Sequence, residues 1–436
     1  MKHENQPTVV TKPTTHRLWK RQKELNQIYK GKKEMRTKKK SNLKSILKGL
    51  AIFGVTMVVI AGGVYLWARS STGTSLIARG IMWGDSDAGD LYRFPARRMQ
   101  PSLDPVMFTS SFGNWSEMIA TLPLDNPDIG AVSMPLEEYL ARTNTTAFII
   151  LHGNQILYEG YFNGSDREAI QPAFSITKSF FAAVIGIAIE EGYIGSVNDP
   201  ITEYLPELQN QDPRFEAVTI RNLLSMTSGI QWDRSESNPL SDDFVTYYSP
   251  DLRTTALEAE IETEPGTVFL YNDYNPLLLG IALERATGMS IAEYMETRLW
   301  QPMGAEGEGS WSLDSETSGF EKTFAGLNGR ALDLVKLGWL YLNHGQNGSV
   351  EVVPLSWVAQ VADRVMPSNQ YPESQDYWWV DSERNMYFAE GDKCQFIYVY
   401  PQAQLVLARF GTDCGGTGFT DFMANIALWV ETQLAE

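Results

Sequence analysis

The sequence predicts an α+β body, an antiparallel sheet flanked by helices with an inserted helical subdomain, preceded by one transmembrane helix. Three observations carry this. Strand patterns gather near both ends of residues 141–436, helical patterns fill the region between, and residues 49–68 form a 20-residue run without a charge.

The uncharged run, Gly49 to Ala68, lies between Lys48 and Arg69. At about 1.5 Å per residue it is ~30 Å long, the thickness of one bilayer core. A cleavable signal peptide would need a 48-residue charged leader, and no A-x-A site follows the run, so an uncleaved anchor is expected. Residues 1–48 hold 15 basic and three acidic groups, a tail that the positive-inside rule keeps cytoplasmic while the body is exported across the inner or plasma membrane. The other 388 residues hold 21 basic and 50 acidic groups, which would repel nucleic-acid phosphates.

Residues 69–140 read as a connector. Pro95, Pro101, Pro105, Pro123, Pro127 and Pro135 forbid a long helix there. Trp83, Phe94, Phe108, Phe112 and Trp115 predict that it packs on the body. The body opens with a hairpin, Thr146–His152 and Gln155–Phe162, around a turn at Gly153 and Asn154. Residues 174–192 read as a buried helix, apolar on nearly every face. Strands return at Asn385–Glu390, Gln395–Pro401 and Leu405–Gly411. A last amphipathic helix carries Phe419, Phe422, Met423, Ile426, Trp429 and Val430.

Composition narrows the chemistry. Hydrophobic residues at 43% and charged residues at 20% are ordinary for a globular body. The two cysteines, Cys394 and Cys414, form no CxxC. They flank the hairpin 395–411, whose register sets position 394 opposite 411. A bridge would need the chain to turn back just past Gly411, and the sequence leaves free thiols and a disulfide both open. The four histidines, His3, His16, His152 and His344, build no HExxH, and no GxSxG elbow occurs. A histidine triad and a histidine-bound zinc site are therefore disfavoured, and no metal or cofactor is expected.

Lysine can activate serine instead, through an S-x-x-K pair whose side chains share one helix face. The pair occurs at Ser41/Lys44, Ser45/Lys48 and Ser175/Lys178. The first two lie in the basic tail beside many like charges. The third opens the apolar helix. Ser175 falls in its first turn, where the helix dipole favours an oxyanion. Lys178 sits one turn in, where desolvation lowers an amine's pKa. Taken alone, the pair reads equally well as a capping serine with a snorkelling lysine.

The surrounding phrases decide between the two. Phe174 to Ser179, Glu191 to Ile194, Asp199-Pro200, Tyr204 to Leu208 and Thr219 to Gly229 come first. Tyr271 to Gly280, Arg285 to Gly288, Leu299 to Gly304, Gly326 to Leu334, Gly338 to Leu342 and Gln395 to Pro401 follow. In that order they resemble the serine β-lactamase and penicillin-binding-protein superfamily, within it the class C-like esterase and 6-aminohexanoate-oligomer hydrolase branch. The resemblance covers about residues 140–436. It implies a β-lactamase/transpeptidase-like fold with the site in the cleft between the sheet body and the helical subdomain.

Roles carry over residue by residue. Tyr161-Phe-Asn163 and Tyr341-Leu-Asn343 match the second motif literally but lie in the wrong places, so Tyr271 takes the tyrosine role, as general base or acid beside Lys178. Asp273 replaces the motif's asparagine, and a carboxylate there would keep Lys178 protonated and leave Tyr271 as the base. The third motif is reduced to Ala389-Glu390-Gly391: its cation is missing, while the glycine still lets the strand approach. The backbone N–H groups of Asp392 and Ser175 are then the implied oxyanion hole. Asp273, Glu390 and Gly391 would meet the substrate. With Lys393 the sole nearby base in sequence, an anionic ligand is unwelcome unless that lysine, or an arginine from elsewhere, reaches in.

These readings converge on a membrane-anchored serine hydrolase of a small or short-oligomer amide or ester, working through an acyl-enzyme on Ser175. A penicillin-recognising β-lactamase or D,D-peptidase, and a non-catalytic sensor of the same fold, are the competing readings. The loop Ser235–Pro250, which no motif reads, would shape the pocket.

Overall fold

The computed structural model describes residues 15–111, 113–124, 134–235, 238, 240–363, 366–367, 373–416 and 418–436. His3, Phe112 and Pro127 lie outside them. The chain divides into two compact units, residues 1–70 and 71–436.

The described residues of the first unit are helical, in a helix that runs Thr15–Ser71. Among the described residues it is the one helix long and apolar enough to cross a membrane. Helix begins well before the uncharged run, because the basic tail is rich in Lys, Arg, Glu, Gln and Leu, all good helix formers, and no proline occurs from residue 14 to 94.

The second unit is built on a nine-stranded sheet: β1 (Thr109–Ser110), β2 (Thr145–His152), β3 (Gln155–Tyr161), β4 (Met366–Pro367), β5 (Glu373–Gln375), β6 (Trp378–Asp381), β7 (Met386–Gly391), β8 (Gln395–Tyr400) and β9 (Leu405–Gly411). Across the sheet the order is β4-β5-β6-β7-β8-β9-β2-β3-β1. Every pairing is antiparallel except that of the edge strand β1 with β3. Strands from the two ends of the body meet at the centre, where Leu407 of β9 faces Ile150 of β2. The β2–β3 turn is two residues, with Gly153 at φ +54°, a conformation that suits glycine.

Helices cover both faces. Helix Ala331–Leu342 lies on the face of Ile397, Val399 and Val406. It comes so close that a Cβ on Gly338 would stand 2.7 Å from Ile397 Cγ2. The C-terminal helix Phe419–Leu434 lies on the other face, where Tyr398 and Tyr400 donate to Thr420 O and to Glu431. This is the period-two alternation of a strand buried on both sides. The helix Ile176–Glu190 packs against β7 and β8 and is buried from Ile176 to Ala188. Its missing polar face is explained by this enclosure.

A smaller four-stranded sheet joins Ala96–Met99, Gly309–Ser312, Leu327–Arg330 and Ile170–Pro172 in that order. Its first strand belongs to the connector, so residues 96–99 are woven into the body rather than laid on it. Cys394 and Cys414 are joined in a disulfide, with Cα atoms 5.3 Å apart. The chain does turn back just past Gly411, within Thr412 and Asp413, the two residues that precede Cys414.

Candidate active site

Ser175 stands directly ahead of the helix Ile176–Glu190, not within its first turn, and its side chain makes no capping bond. The chain enters from a fixed strand: Ala173 N–H donates to Leu327 O at 2.9 Å. Phe174 then holds φ +45°, a left-handed conformation that costs a bulky residue strain and turns Ser175 toward the cleft.

Lys178 lies one turn on and is almost completely buried. Its Nζ donates to Ser175 Oγ at 3.1 Å and to Phe324 O at 3.0 Å, and pairs with Asp273 Oδ1 at 2.9 Å. Burial works against the charge, but Asp273 first and Tyr271 second outweigh it, and the ammonium's pKa is raised. The desolvation expected to lower it is thus overridden. A lysine held charged can donate to Ser175 Oγ but cannot take its proton.

Asp273 directly precedes the helix Tyr274–Thr287, where an aspartate ordinarily caps the first turn. It makes no capping bond. Asn272 Oδ1 accepts the Asn275 N–H instead, at 3.1 Å, which leaves the Asp273 carboxylate for Lys178.

Tyr271 has its ring centroid 4.7 Å from Lys178 Nζ and stacks on Trp379 at 6.0 Å. Its carbonyl accepts from Arg234 Nη2 at 3.0 Å. The two literal Tyr-x-Asn matches are elsewhere. Tyr161 donates to Glu159 on β3, and Tyr341 is buried against Trp378.

At the end of β7, a Cβ on Gly391 would lie 2.5 Å from Ala173 O and 3.1 Å from Ser175 N, so any larger residue would push the strand away from the serine. Asp392 follows at once and shares the cleft wall with Ser175. Its carboxylate accepts from Ser86 Oγ at 2.6 Å and pairs with Lys393 Nζ at 3.4 Å. Glu390 faces a smaller cavity beside Ser175, shared with Lys178, Met226, Tyr271, Tyr377 and Trp379.

The cleft above Ser175 holds about 310 Å³. It is lined by Asp85, Asp243, Asp273 and Asp392, with Arg234 and Lys393 the basic residues at its wall. An arginine from elsewhere does reach in. The cleft is acidic, but less so than the motif positions alone suggest. Arg234, Asp243 and Tyr247 come from loop and helix residues around 234–248, and Asp85 and Ser86 from the connector. None belongs to a motif. The one signal is the loop Ser235–Pro250, expected to shape the pocket although no motif reads it. Phe324 offers a backbone carbonyl and a ring whose centroid is 5.6 Å from Lys178 Nζ, and no sequence pattern marks either.

The Beta-lactamase family pattern matches residues 136–423, more than half of the chain and all the residues just described except the connector pair. The chain belongs to the Beta-lactamase family. It is 26% identical over 312 residues to the 6-aminohexanoate-dimer hydrolase of Paenarthrobacter ureafaciens, covering 66% of this chain and 78% of that protein. It is 28% identical over 169 residues to penicillin-binding protein 4* of Bacillus subtilis, 35% of either chain. Among solved structures, a Bacillus anthracis protein provisionally described as a 6-aminohexanoate-dimer hydrolase superposes with a TM-score of 0.68 at 23% identity, over 78% of this chain and 92% of that one. A penicillin binding protein from Bacillus halodurans gives 0.54 at 19% identity, over 67% and 99%. These likenesses support a hydrolase of β-lactamase fold.

Proposed function

We propose that this family member is a membrane-anchored serine hydrolase that cleaves a small amide or ester through an acyl-enzyme on Ser175. The observation that carries the reading is the 3.1 Å contact from a charged, buried Lys178 to Ser175 Oγ. With Lys178 held protonated by Asp273, Tyr271 is the group left to take the serine proton. Ser175 Oγ attacks the carbonyl, and its carbon–heteroatom bond breaks as the proton passes to the leaving group. Water then releases the acid. The Ser175 and Asp392 N–H groups hold the oxyanion. The test is labelling of the protein with a fluorophosphonate and with a fluorescent penicillin, followed by mapping of the labelled peptide. Label on Ser175 from the first alone supports the reading. Penicillin label on Ser175 would move the assignment to a penicillin-recognising enzyme, and no label at all would leave a sensor of the same fold.

The substrate we propose is neutral or amine-bearing, and a short amide oligomer of the kind named for the Paenarthrobacter relative fits that description. Two unit charges about 6 Å apart at an effective dielectric near 20 interact by about 3 kcal/mol. Water, salt and Arg234 reduce this. A surviving third, about 1 kcal/mol, is roughly fivefold in kcat/KM. We expect p-nitrophenyl esters bearing an amine to be hydrolysed about fivefold faster than matched carboxylates at low salt, and Arg234→Gln to widen the gap. Equal rates would place the acids outside the substrate's reach.

The helix through residues 49–68 is proposed to span the membrane once, with the basic tail cytoplasmic and residues 69–436 exported, periplasmic or extracellular. A reporter active only outside the cytoplasm, fused after Glu436, should be active. Silence there, with activity of a cytoplasmic reporter, would reverse the topology.

A further inference from the structure

Arg409 lies in the middle of β9, fully buried, and forms no ion pair among the described residues. All five of its N–H donors are nonetheless engaged. Nε donates to Thr145 Oγ1 at 3.0 Å. Nη1 donates to Lys393 O and Cys394 O, each at 2.8 Å, and Nη2 to Thr143 O at 2.7 Å and Asp413 O at 2.8 Å. Burial pulls its pKa down to about 9, which still leaves it charged at neutral pH. A buried guanidinium directed at four backbone carbonyls is a demanding way to stabilise a core, where an apolar residue would serve.

Two of those carbonyls explain the demand. Lys393 and Cys394 are consecutive non-glycine residues, both at φ +59°. A left-handed pair of this kind relaxes unless its surroundings hold it. Three devices hold it here. Arg409 takes both carbonyls. The buried Gln395 side chain exchanges two hydrogen bonds with the Gly411 backbone. The Cys394–Cys414 disulfide ties the turn to the loop after β9. The turn begins directly after Asp392, whose N–H is the oxyanion donor of the reading above.

We propose that Arg409, assisted by the Cys394–Cys414 bridge, is the positioning residue of the oxyanion site: it fixes the strained Lys393–Cys394 turn and so aims the Asp392 N–H at the reacting carbonyl oxygen. This rests on the hydrolase reading. Charge develops on that oxygen only in the transition state, so a loosened turn acts on kcat and leaves KM nearly unchanged. A misplacement of about 1 Å can cost on the order of 100-fold.

The experiment compares the full chain, Arg409→Lys and the double variant Cys394→Ser/Cys414→Ser. Active sites are counted by end-point fluorophosphonate labelling. For each chain, kcat per labelled site and KM are measured on one ester. So are Tm and the affinity for an alkyl boronic acid, whose anionic tetrahedral adduct on a serine mimics the transition state. We expect kcat per site and boronate affinity to fall at least tenfold, with KM within twofold. Should Arg409→Lys fail to fold, the cysteine pair, which leaves the guanidinium in place, carries the comparison. A lowered Tm with kcat per site and boronate affinity within twofold of wild type would make the clamp purely structural and overturn the proposal. A wild-type chain with neither label nor turnover would sink the hydrolase reading first, and the positioning role with it.

Discussion

Ser175→Ala is expected to abolish hydrolysis while leaving the fold intact. The serine caps nothing, so its loss removes one hydroxyl and one hydrogen bond from Lys178, worth about 1 kcal/mol. The chemistry loses its nucleophile. Where a nucleophile and its base act as a unit, removing either costs about as much as removing both, and losses near 10⁶-fold are known for such a set. We therefore expect kcat to fall by at least about 10⁴-fold for Ser175→Ala. Lys178→Ala and Tyr271→Phe should be comparably severe, and doubles should be little worse than singles. The measurements are kcat/KM on a reactive ester and Tm for each variant. If Ser175→Ala retained a tenth of wild-type turnover, the nucleophile would have to be sought elsewhere. If Tyr271→Phe alone were mild, Lys178 would be the base, and it would have to be neutral in the reacting enzyme.

How far the sequence reached follows from the kind of signal each feature leaves. The strands at both ends of the body and the enclosed helix after Ser175 were legible because periodicity and its absence report burial directly. So was the proximity of Ser175, Lys178, Tyr271 and Asp273, since the phrases around them recur in order. The helical extension of the basic tail back to Thr15 lies outside those expectations, because a charge pattern reports topology and not helix propensity. Arg234, Asp243, Asp85 and Ser86 come to the cleft from segments that share only a location in three dimensions. Arg409 was invisible for a different reason. Within a strand of apolar residues it looks like an outward-facing charge, and only the C-terminal helix, whose Phe419 ring centroid lies 4.0 Å from the guanidinium carbon, closes it into the core. The disulfide stays open in the sequence because hairpin register places residue 411, not Cys414, opposite Cys394, and only the path of Thr412 and Asp413 in three dimensions makes up the difference.

Asp273→Ala is expected to destabilise the protein by about 3–5 kcal/mol, because it leaves the Lys178 ammonium buried without its partner. The pH dependence carries the sign of the effect. In the wild type the pKa of Lys178 is raised above its ordinary value of 10.5, so the folded state binds this proton more tightly than the unfolded chain does. The resulting stability is fully present below about pH 10.5 and is lost as pH rises through the folded value. Asp273→Asn removes the largest cause of the rise and keeps the burial, which then pushes the pKa of Lys178 down. For that variant the sign reverses: folding now disfavours the proton, and stability declines as pH falls below 10.5. Urea melts at pH 6, 8 and 10 should therefore show a gap between wild type and Asp273→Asn that is widest at pH 6 and narrows toward pH 10. In the same variant a lysine neutral at working pH can accept the serine proton directly, so its kcat should rise with pH where the wild type's is set by other groups. A gap of less than about 1 kcal/mol for Asp273→Ala at pH 7, or one that widens with rising pH, would mean that the carboxylate does not hold the lysine charged, and the assignment of Tyr271 as the base would lose its main support.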